Sequence, residues 1–370
     1  MDFALTEEQR AVQATFHEFA AREIRPHAQS LDEDPRFPRD IFRRAGELGF
    51  FGMRYPEPHG SGLDVVTYVL AVEEIAWGSL SVAAVCTMQS LMGTYFLHRC
   101  APDDVRDRLF PAAMRGDKIG AIAMTEPGAG SDLFAMQSFA REDRGRFLVT
   151  GNKTWITSAP VADFFTVFAR TGKDTLGAFL IERGAPGLAV GKSIEKSGVR
   201  GSLTSEVFFE DTPATCVLGD PTKGTSYLRE ILAEVRVMTA ALSLGVARAA
   251  FEEARAFASA RTQFGKPIRT FQSVGEHLAE MATDLEAARQ FTRWAAWRSD
   301  QKIPNATEAS MAKLFASEAA ARTCDRAARV MASHGFSSDS PVQRLLRDVR
   351  FVLIGGGTSE ILRLNIAKEL

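Results

Sequence analysis

The spacing of apolar and polar positions changes twice along the chain. From Thr6 to about Lys118 apolar residues such as Val12 and Phe16 recur at helical intervals, which predicts amphipathic helices. Between about Ile119 and Gly224 the apolar runs are short, β-branched and aromatic, and Gly, Pro and Asn separate them. Such runs predict strands. From Tyr227 onward the helical spacing returns in long, Ala-rich segments.

This order predicts an α+β protein with three domains. We place an all-helical domain at 1–118, a compact β domain at 119–225 and a bundle of about four helices at 226–370. Thr6 and Gln9 form a predicted capping box at the first helix. The other predicted helices cover or begin at Ile41–Leu48, Val65–Trp77, Ser81–His98, Leu228–Ala249, Phe271, Ala306 and Val342. The predicted strands are Arg146–Thr150, Trp155–Thr157, Phe164–Phe168, Ala178–Ile181 and Val207–Phe209.

Composition excludes several classes of function. The 370 residues are 45% hydrophobic and 24% charged with a net charge of -2, so the chain can bury a large core and offers no basic surface for nucleic acid. Its four cysteines are far apart and its six histidines show no metal-ligand spacing, so we expect neither zinc nor disulfides. We also expect no membrane span, since no apolar stretch approaches about 20 residues. These features predict a cytoplasmic location.

Two segments offer groups that could hold a flat polar ligand. Thr125–Ser131 is a glycine-rich turn with free backbone amides and two hydroxyls, which suits a flavin edge or a phosphate. A plain Gly/Pro turn is the alternative. Trp155–Thr157 lies in a predicted strand, where a tryptophan would ordinarily be a core residue.

Five motifs together resemble the acyl-CoA dehydrogenase family. They are Met124–Asp132, Lys153–Thr157, Arg261–Pro267, Arg347-Asp348 and Gly357–Ile361, and the resemblance covers essentially the whole chain. It implies an N-terminal helical domain, a middle β-barrel, a C-terminal four-helix bundle and FAD as cofactor. It also implies an acyl thioester substrate on CoA or acyl carrier protein, and an electron-transfer flavoprotein as acceptor.

The same resemblance assigns residues to the cofactor. It places the Trp155 ring beside the flavin and gives Thr157 a hydrogen bond to the ring. It gives Arg261 and Phe264 to the FAD of a neighbouring subunit, which implies a homodimer or homotetramer. The cofactor positions implied in this way are Met124, Thr125, Ser131, Trp155, Thr157, Arg261, Gln263, Phe264, Gln272, Arg329, His334, Thr358 and Glu360. Arg329–Gly335 departs from the family pattern, which leaves two alternatives: Arg329 or His334 replaces backbone contacts on the adenosine side, or FAD binds more weakly.

Neither of the two sequence positions at which the family places its catalytic base holds an acidic residue in this chain. A glutamate that removes the α-proton commonly stands where this chain has Gly356, and in some members where it has Val235. Glu234 is adjacent, but one residue along a helix turns a side chain by about 100°. Glu360 matches a glutamate that many members have, so a structural role is expected. Arg236 matches an arginine by the active site, and a guanidinium on a mostly apolar helix needs an anion.

We therefore consider a substrate that is itself an anion near the reacting carbon, a malonyl-type or 2-hydroxymalonyl thioester. Gly356 would remove a repelling carboxylate, and Arg236 would supply the counter-ion. This resembles the acyl-carrier-protein-dependent dehydrogenases of polyketide extender units. The alternatives are an ordinary dehydrogenase with its base elsewhere, a flavin monooxygenase on the same scaffold, and a catalytically silent homologue.

Overall fold

The N-terminal helices bury apolar faces against one another. In the computed structural model, which describes residues 4–370, they are α1 Glu7–Phe19, α2 Ala28–Glu33, α3 Arg39–Glu47, α4 Val65–Gly78, α5 Leu80–Thr87, α6 Tyr95–Cys100 and α7 Asp103–Met114. The predicted capping box is present: Thr6 and Gln9 each accept a hydrogen bond from the other's backbone amide. Phe16 and Phe19 then face the core on the buried side of α1.

The helix predicted over Ser81–His98 is interrupted. A wider π-helical turn, Met88–Gly93, separates α5 from α6. Gly93, at the end of this turn, approaches the next domain closely, since a Cβ there would lie 2.6 Å from the carbonyl oxygen of Gly120. The helical stretch Leu80–Cys100 is long and apolar enough to cross a membrane, but 89% of its 18-residue apolar window is buried inside the protein, as in the core helix of a globular fold.

The middle domain is one mixed sheet. Its strands are β1 Gly120–Ala123, β2 Phe139–Asp143, β3 Arg146–Thr157, β4 Phe164–Arg170, β5 Leu176–Glu182, β6 Leu188–Ser193, β7 Thr204–Pro213 and β8 Cys216–Val217. The pairing path runs β6-β7-β3-β2-β4-β5-β8, with β1 parallel to β4. The domain predicted as a β-barrel is thus observed as an eight-stranded sheet with β6 and β8 at its ends.

Two predicted strands are one. The turn expected between Arg146–Thr150 and Trp155–Thr157 does not form, and β3 runs through it. Gly151 marks a close approach instead, because a Cβ there would lie 2.1 Å from Ser138 Oγ.

The C-terminal domain is a helical bundle built on one long helix. Its elements are α8 Gly224–Ala260, a hairpin of β9 Thr262–Gln263 and β10 Lys266–Pro267, then α9 Gln272–Asp300, α10 Ala306–Met331, α11 Pro341–Asp348, α12 Arg350–Ile354 and α13 Ser359–Ala367. Helix α8 packs against α4, α9 and α10. Small buried residues such as Ala240, Gly245 and Ala250 let the helices approach closely. The predicted α+β class and domain order are confirmed.

The adjacent residues Arg347 and Asp348 together join the three domains. Asp348, at the end of α11, accepts the backbone N–H of Val199 from the β6–β7 loop. Its neighbour Arg347 forms a bidentate ion pair with Asp32 of α2. Burial raises the pKa of Asp348 to about 6, although the Val199 amide and Arg344 oppose the rise.

Asp348→Asn is expected to change how stability depends on pH. A pKa raised from 3.8 to about 6 means that ionised Asp348 costs stability above about pH 6, and that this cost disappears as the pH falls to about 4. The variant should gain up to about 3 kcal/mol relative to wild type at pH 7.5 and lose that advantage by pH 4. Urea unfolding at both pH values measures it. The exposed Asp339→Asn should give no such pH-dependent difference, and an equal difference at both pH values for Asp348→Asn would contradict the prediction.

Candidate functional site

The glycine-rich turn and the predicted flavin-facing tryptophan lie side by side. The Thr154 amide donates to the Thr125 carbonyl at 2.9 Å, and Glu126 and Ala129 pair across the turn. The β3–β7 register shifts between Lys153 and Ile156. In this bulge Trp155 adopts φ 59° and leaves 56% of its surface exposed. A left-handed aromatic residue on a strand is rare, and such conformations gather at functional sites.

A buried ion pair between Lys153 and Glu126 anchors the Thr125–Ser131 turn to strand β3. Lys153 is fully buried, and its Nζ lies 2.7 Å from Glu126 Oε1 and donates to the Met124 carbonyl at 3.2 Å. Glu126 also accepts the backbone amides of Gln137 and Ser138. Burial alone would raise the pKa of Glu126, but these bonds outweigh it and leave the pKa below its usual value. Burial lowers the pKa of Lys153, and Glu126 opposes that shift.

Helices α8 and α10 hold an arginine that has no carboxylate partner. Arg236 Nη1 donates to Ser310 Oγ at 3.0 Å and to the Ala306 carbonyl at 3.4 Å. Among residues 4–370, its Nε has no hydrogen-bond partner, and no ion pair includes Arg236. Burial lowers its pKa from the usual value, yet a guanidinium stays charged in a protein. The charge is therefore present and uncompensated.

The turn Gly355–Gly357 lies beside this arginine. Gly356 has φ 72°, and a Cβ there would lie 2.7 Å from Thr239 Oγ1 on α8. Thr239 is one helical turn beyond Arg236, so both face the same side. The turn is held by Lys313 of α10, whose Nζ donates to the Gly357 carbonyl at 2.7 Å. Burial lowers the pKa of Lys313 to about 8.

No residue at or beside positions 235 and 356 is placed to serve as the catalytic base. Val235 is buried in the core. Glu234 points to the N-terminal domain, where Arg54 Nε lies 2.6 Å from its Oε1. Glu360 is exposed and lies 3.7 Å from Arg363 on its own helix. Thr358 caps that helix by accepting the Ile361 amide.

The remaining cofactor candidates lie elsewhere in the chain. Arg261 follows α8, 25 residues and about 37 Å of helix from Arg236. Phe264 forms the tip of the β9–β10 hairpin and is 92% exposed, and Gln263 lies in β9 beside it. Gln272 begins α9 and bonds Glu276. Within one chain these residues are not brought to Arg236.

The segment that departs from the family pattern ends α10. Arg329 Nε bonds Asp325 one turn earlier at 2.7 Å. The His334 ring contacts the Phe257 ring near the end of α8, with 5.2 Å between centroids. Both side chains are exposed, so they lie on the surface near the hairpin end of α8.

The turn and strand present what FAD requires. The exposed Trp155 ring offers a flat apolar face, and the hydroxyl-bearing residues Thr125, Ser131 and Thr157 of the same turn and strand are at least partly exposed. Gly128 and Gly130 face open space, where a Cβ would meet nothing within 4 Å. Backbone amides there are accessible to an oxygen-rich ligand.

Four residues that contribute contacts to the candidate site were assigned no role in the sequence analysis. They are Lys153, Thr239, Ser310 and Lys313, all of them buried. Two left a signal: Lys153 is a lysine inside an apolar strand, and Lys313 a lysine on the apolar face of an Ala-rich helix. Such lysines are rarely fully buried without a partner.

Family models match almost the whole chain. They are the acyl-CoA dehydrogenase N-terminal domain at 6–117, the middle domain at 121–212 and the C-terminal domain at 222–370. Among curated proteins, the benzylmalonyl-CoA dehydrogenase of Aromatoleum aromaticum is 54% identical over 100% of both chains.

Solved structures agree with this similarity. The butyryl-CoA dehydrogenase of Megasphaera elsdenii superposes with a TM-score of 0.96 at 32% identity and covers 100% of this chain and 99% of its own. The FAD complex of PigA superposes with a TM-score of 0.96 at 28% identity and the same coverage.

Proposed function

Because this chain belongs to the acyl-CoA dehydrogenase family, FAD-dependent oxidoreductases that act on acyl thioesters, we propose that it oxidises a 2-carboxyacyl thioester with loss of CO2. The observation that carries the proposal is the partly buried, unpaired charge of Arg236, one helical turn from Thr239, which contacts the base-free turn at Gly356. The 54% identical relative is named for a malonyl-type thioester, which agrees with this substrate class.

Loss of CO2 removes the need for a base. An ordinary acyl thioester must give up its α-proton to a carboxylate. A 2-carboxyacyl thioester instead breaks the bond between its α-carbon and its carboxylate, and that electron pair forms the new α,β double bond. FAD, which Thr125, Ser131, Trp155 and Thr157 would hold, would supply the oxidant by accepting the β-hydrogen as hydride. Substrate and flavin thus give an enoyl thioester, CO2 and reduced flavin, with atoms and charge balanced.

In this proposal Arg236 binds the substrate's 2-carboxylate. A guanidinium with a free Nε can pair with one carboxylate through two parallel hydrogen bonds. The Ser310 and Ala306 oxygens fix its other end, so the bound carboxylate takes one orientation. Gly356 carries no side-chain charge, whereas a glutamate at this position would repel the substrate carboxylate in a partly buried site.

The proposal also covers the acyl carrier, the electron acceptor and the assembly of this chain. We assign CoA as the carrier, in line with the named relative, and an electron-transfer flavoprotein as the electron acceptor. Arg261, Gln263 and Phe264 are about 37 Å of helix away from Arg236. We therefore assign them to the cofactor of a second copy of this chain, in a dimer or tetramer. We assign Met124, Thr125, Ser131, Trp155, Thr157, Gln272, Arg329, His334, Thr358 and Glu360 to FAD binding.

Anaerobic mixing of the yellow holoenzyme with thioesters tests the function. Benzylmalonyl-CoA or methylmalonyl-CoA should bleach the flavin band and release one CO2 per flavin reduced, whereas butyryl-CoA should react at least about a hundredfold more slowly because no base is present. Rapid bleaching by butyryl-CoA would identify an ordinary dehydrogenase. Bleaching by a 2-hydroxymalonyl thioester with no CO2 released would identify oxidation of the carbinol instead.

A further inference from the structure

Helix α8 has a polar stripe on its buried face at the candidate site. Arg236, Thr239 and Ser243 follow one another at intervals of three and four residues, so they share one side. Thr239 is 3% exposed and Ser243 is fully buried. Ser243 Oγ donates to the Thr239 carbonyl at 2.9 Å. The stripe is unusual on a helix whose other buried residues are nearly all apolar.

The Thr239 hydroxyl fills the space that the glycine leaves. The three heavy atoms nearest to a Cβ built on Gly356 all belong to Thr239, and the nearest is Oγ1 at 2.7 Å. Any side chain at position 356 would collide with Thr239. The hydroxyl therefore faces the place from which a base at position 356 would project.

The present hydrogen bond of this hydroxyl is dispensable. Thr239 Oγ1 donates to the Val235 carbonyl at 2.8 Å, but that carbonyl already accepts the helical amide of Thr239. A hydroxyl hydrogen rotates freely. A charged acceptor binds it about twice as strongly as a neutral carbonyl does, so an arriving carboxylate would capture it.

We propose that Thr239 is a specificity-determining residue whose hydroxyl donates to one oxygen of the substrate's 2-carboxylate, in addition to the two hydrogen bonds through which Arg236 holds that carboxylate. The inference rests on the proposed function and deepens it. The two residues are about 4.5 Å apart along the helix axis, so one carboxylate can receive both donors. Together they select a carboxylated α-carbon over a plain methylene.

The test compares Thr239→Val, which removes only the hydroxyl, with Thr239→Ser, which keeps it. For benzylmalonyl-CoA, Thr239→Val is expected to lower kcat/KM by about 10- to 100-fold, and Thr239→Ser by less than about threefold. The loss should also appear as weaker binding of benzylmalonyl-CoA, measured by anaerobic rapid mixing before flavin reduction.

Thr292→Val is the matched control. Thr292 is fully buried on α9 and donates to the Ala288 carbonyl at 2.8 Å, the same local bond without a neighbouring turn. Wild-type kinetics in Thr239→Val, or an equal loss in Thr292→Val, would overturn the role of Thr239 and leave the proposed function standing. A wild-type enzyme that does not act on benzylmalonyl-CoA or methylmalonyl-CoA would overturn both.

Discussion

Arg236→Gln is expected to lower kcat/KM for a 2-carboxyacyl thioester by about 10²- to 10³-fold, equivalent to about 3–4 kcal/mol. The physical reason is that a substrate carboxylate would enter a partly buried site without a counter-ion. Arg236→Lys keeps the charge but loses the planar fork that Ser310 and Ala306 hold, so it should recover only part of the loss. Steady-state kinetics with benzylmalonyl-CoA measures all three enzymes.

The control for this prediction is Arg322→Gln. Arg322 lies on α10, the helix that also carries Ser310, but its side chain is 44% exposed and pairs with Asp284. It should leave kcat/KM within about twofold of wild type. Urea midpoints separate a recognition role from a structural one. If Arg236→Gln lost stability in proportion to activity, and lost butyryl-CoA turnover equally, Arg236 would be a structural residue.

The second large effect concerns the support of the flavin-facing turn. Lys153→Met should destabilise the fold by about 3 kcal/mol, because it leaves the buried Glu126 carboxylate without its cation. The turn between Met124 and Ser131 should also loosen, so that less FAD survives gel filtration. The double variant Lys153→Met/Glu126→Gln should regain more than half of the stability, since it removes the unpaired charge as well.

Lys118→Met is a matched comparison for that experiment. Lys118 Nζ lies 2.9 Å from Asp163 Oδ1, a distance similar to the 2.7 Å between Lys153 Nζ and Glu126 Oε1. Unlike that buried pair, the Lys118 and Asp163 side chains are both partly exposed to solvent. An exposed pair contributes about 1 kcal/mol or less. Similar losses in Lys118→Met and Lys153→Met would show that burial does not set the importance of the Lys153 pair.

Periodicity predicted the parts of this fold that local sequence determines. The capping box at Thr6, the helix starting at Ala306 and the strand predicted at Phe164–Phe168, which the structure extends to Arg170, follow from spacing and end signals. Two of the errors lie where distant segments make contact. A Cβ at Gly93 would lie 2.6 Å from the Gly120 oxygen, and a Cβ at Gly151 would lie 2.1 Å from Ser138 Oγ, and local sequence reveals neither contact.

The candidate site could be predicted only in part for the same reason. The family resemblance pointed to Trp155 and Gly356, and for Arg236 a guanidinium on a mostly apolar helix added a local signal. Nothing local shows that Thr239 meets Gly356, or that Lys313 bonds the Gly357 carbonyl, because 117 and 44 positions separate these pairs. Such contacts exist only once α8, α10 and the final turn have packed.

The geometry at Gly356 also constrains which mutational routes are open to this protein. At φ 72° a side chain is strained on its own backbone, and Thr239 Oγ1 occupies the first atom's place. A single codon change to glutamate would therefore yield a distorted turn rather than a working proton acceptor. A working base at position 356 would need a smaller residue at position 239 and a reshaped backbone at the same time, so packing couples these two positions.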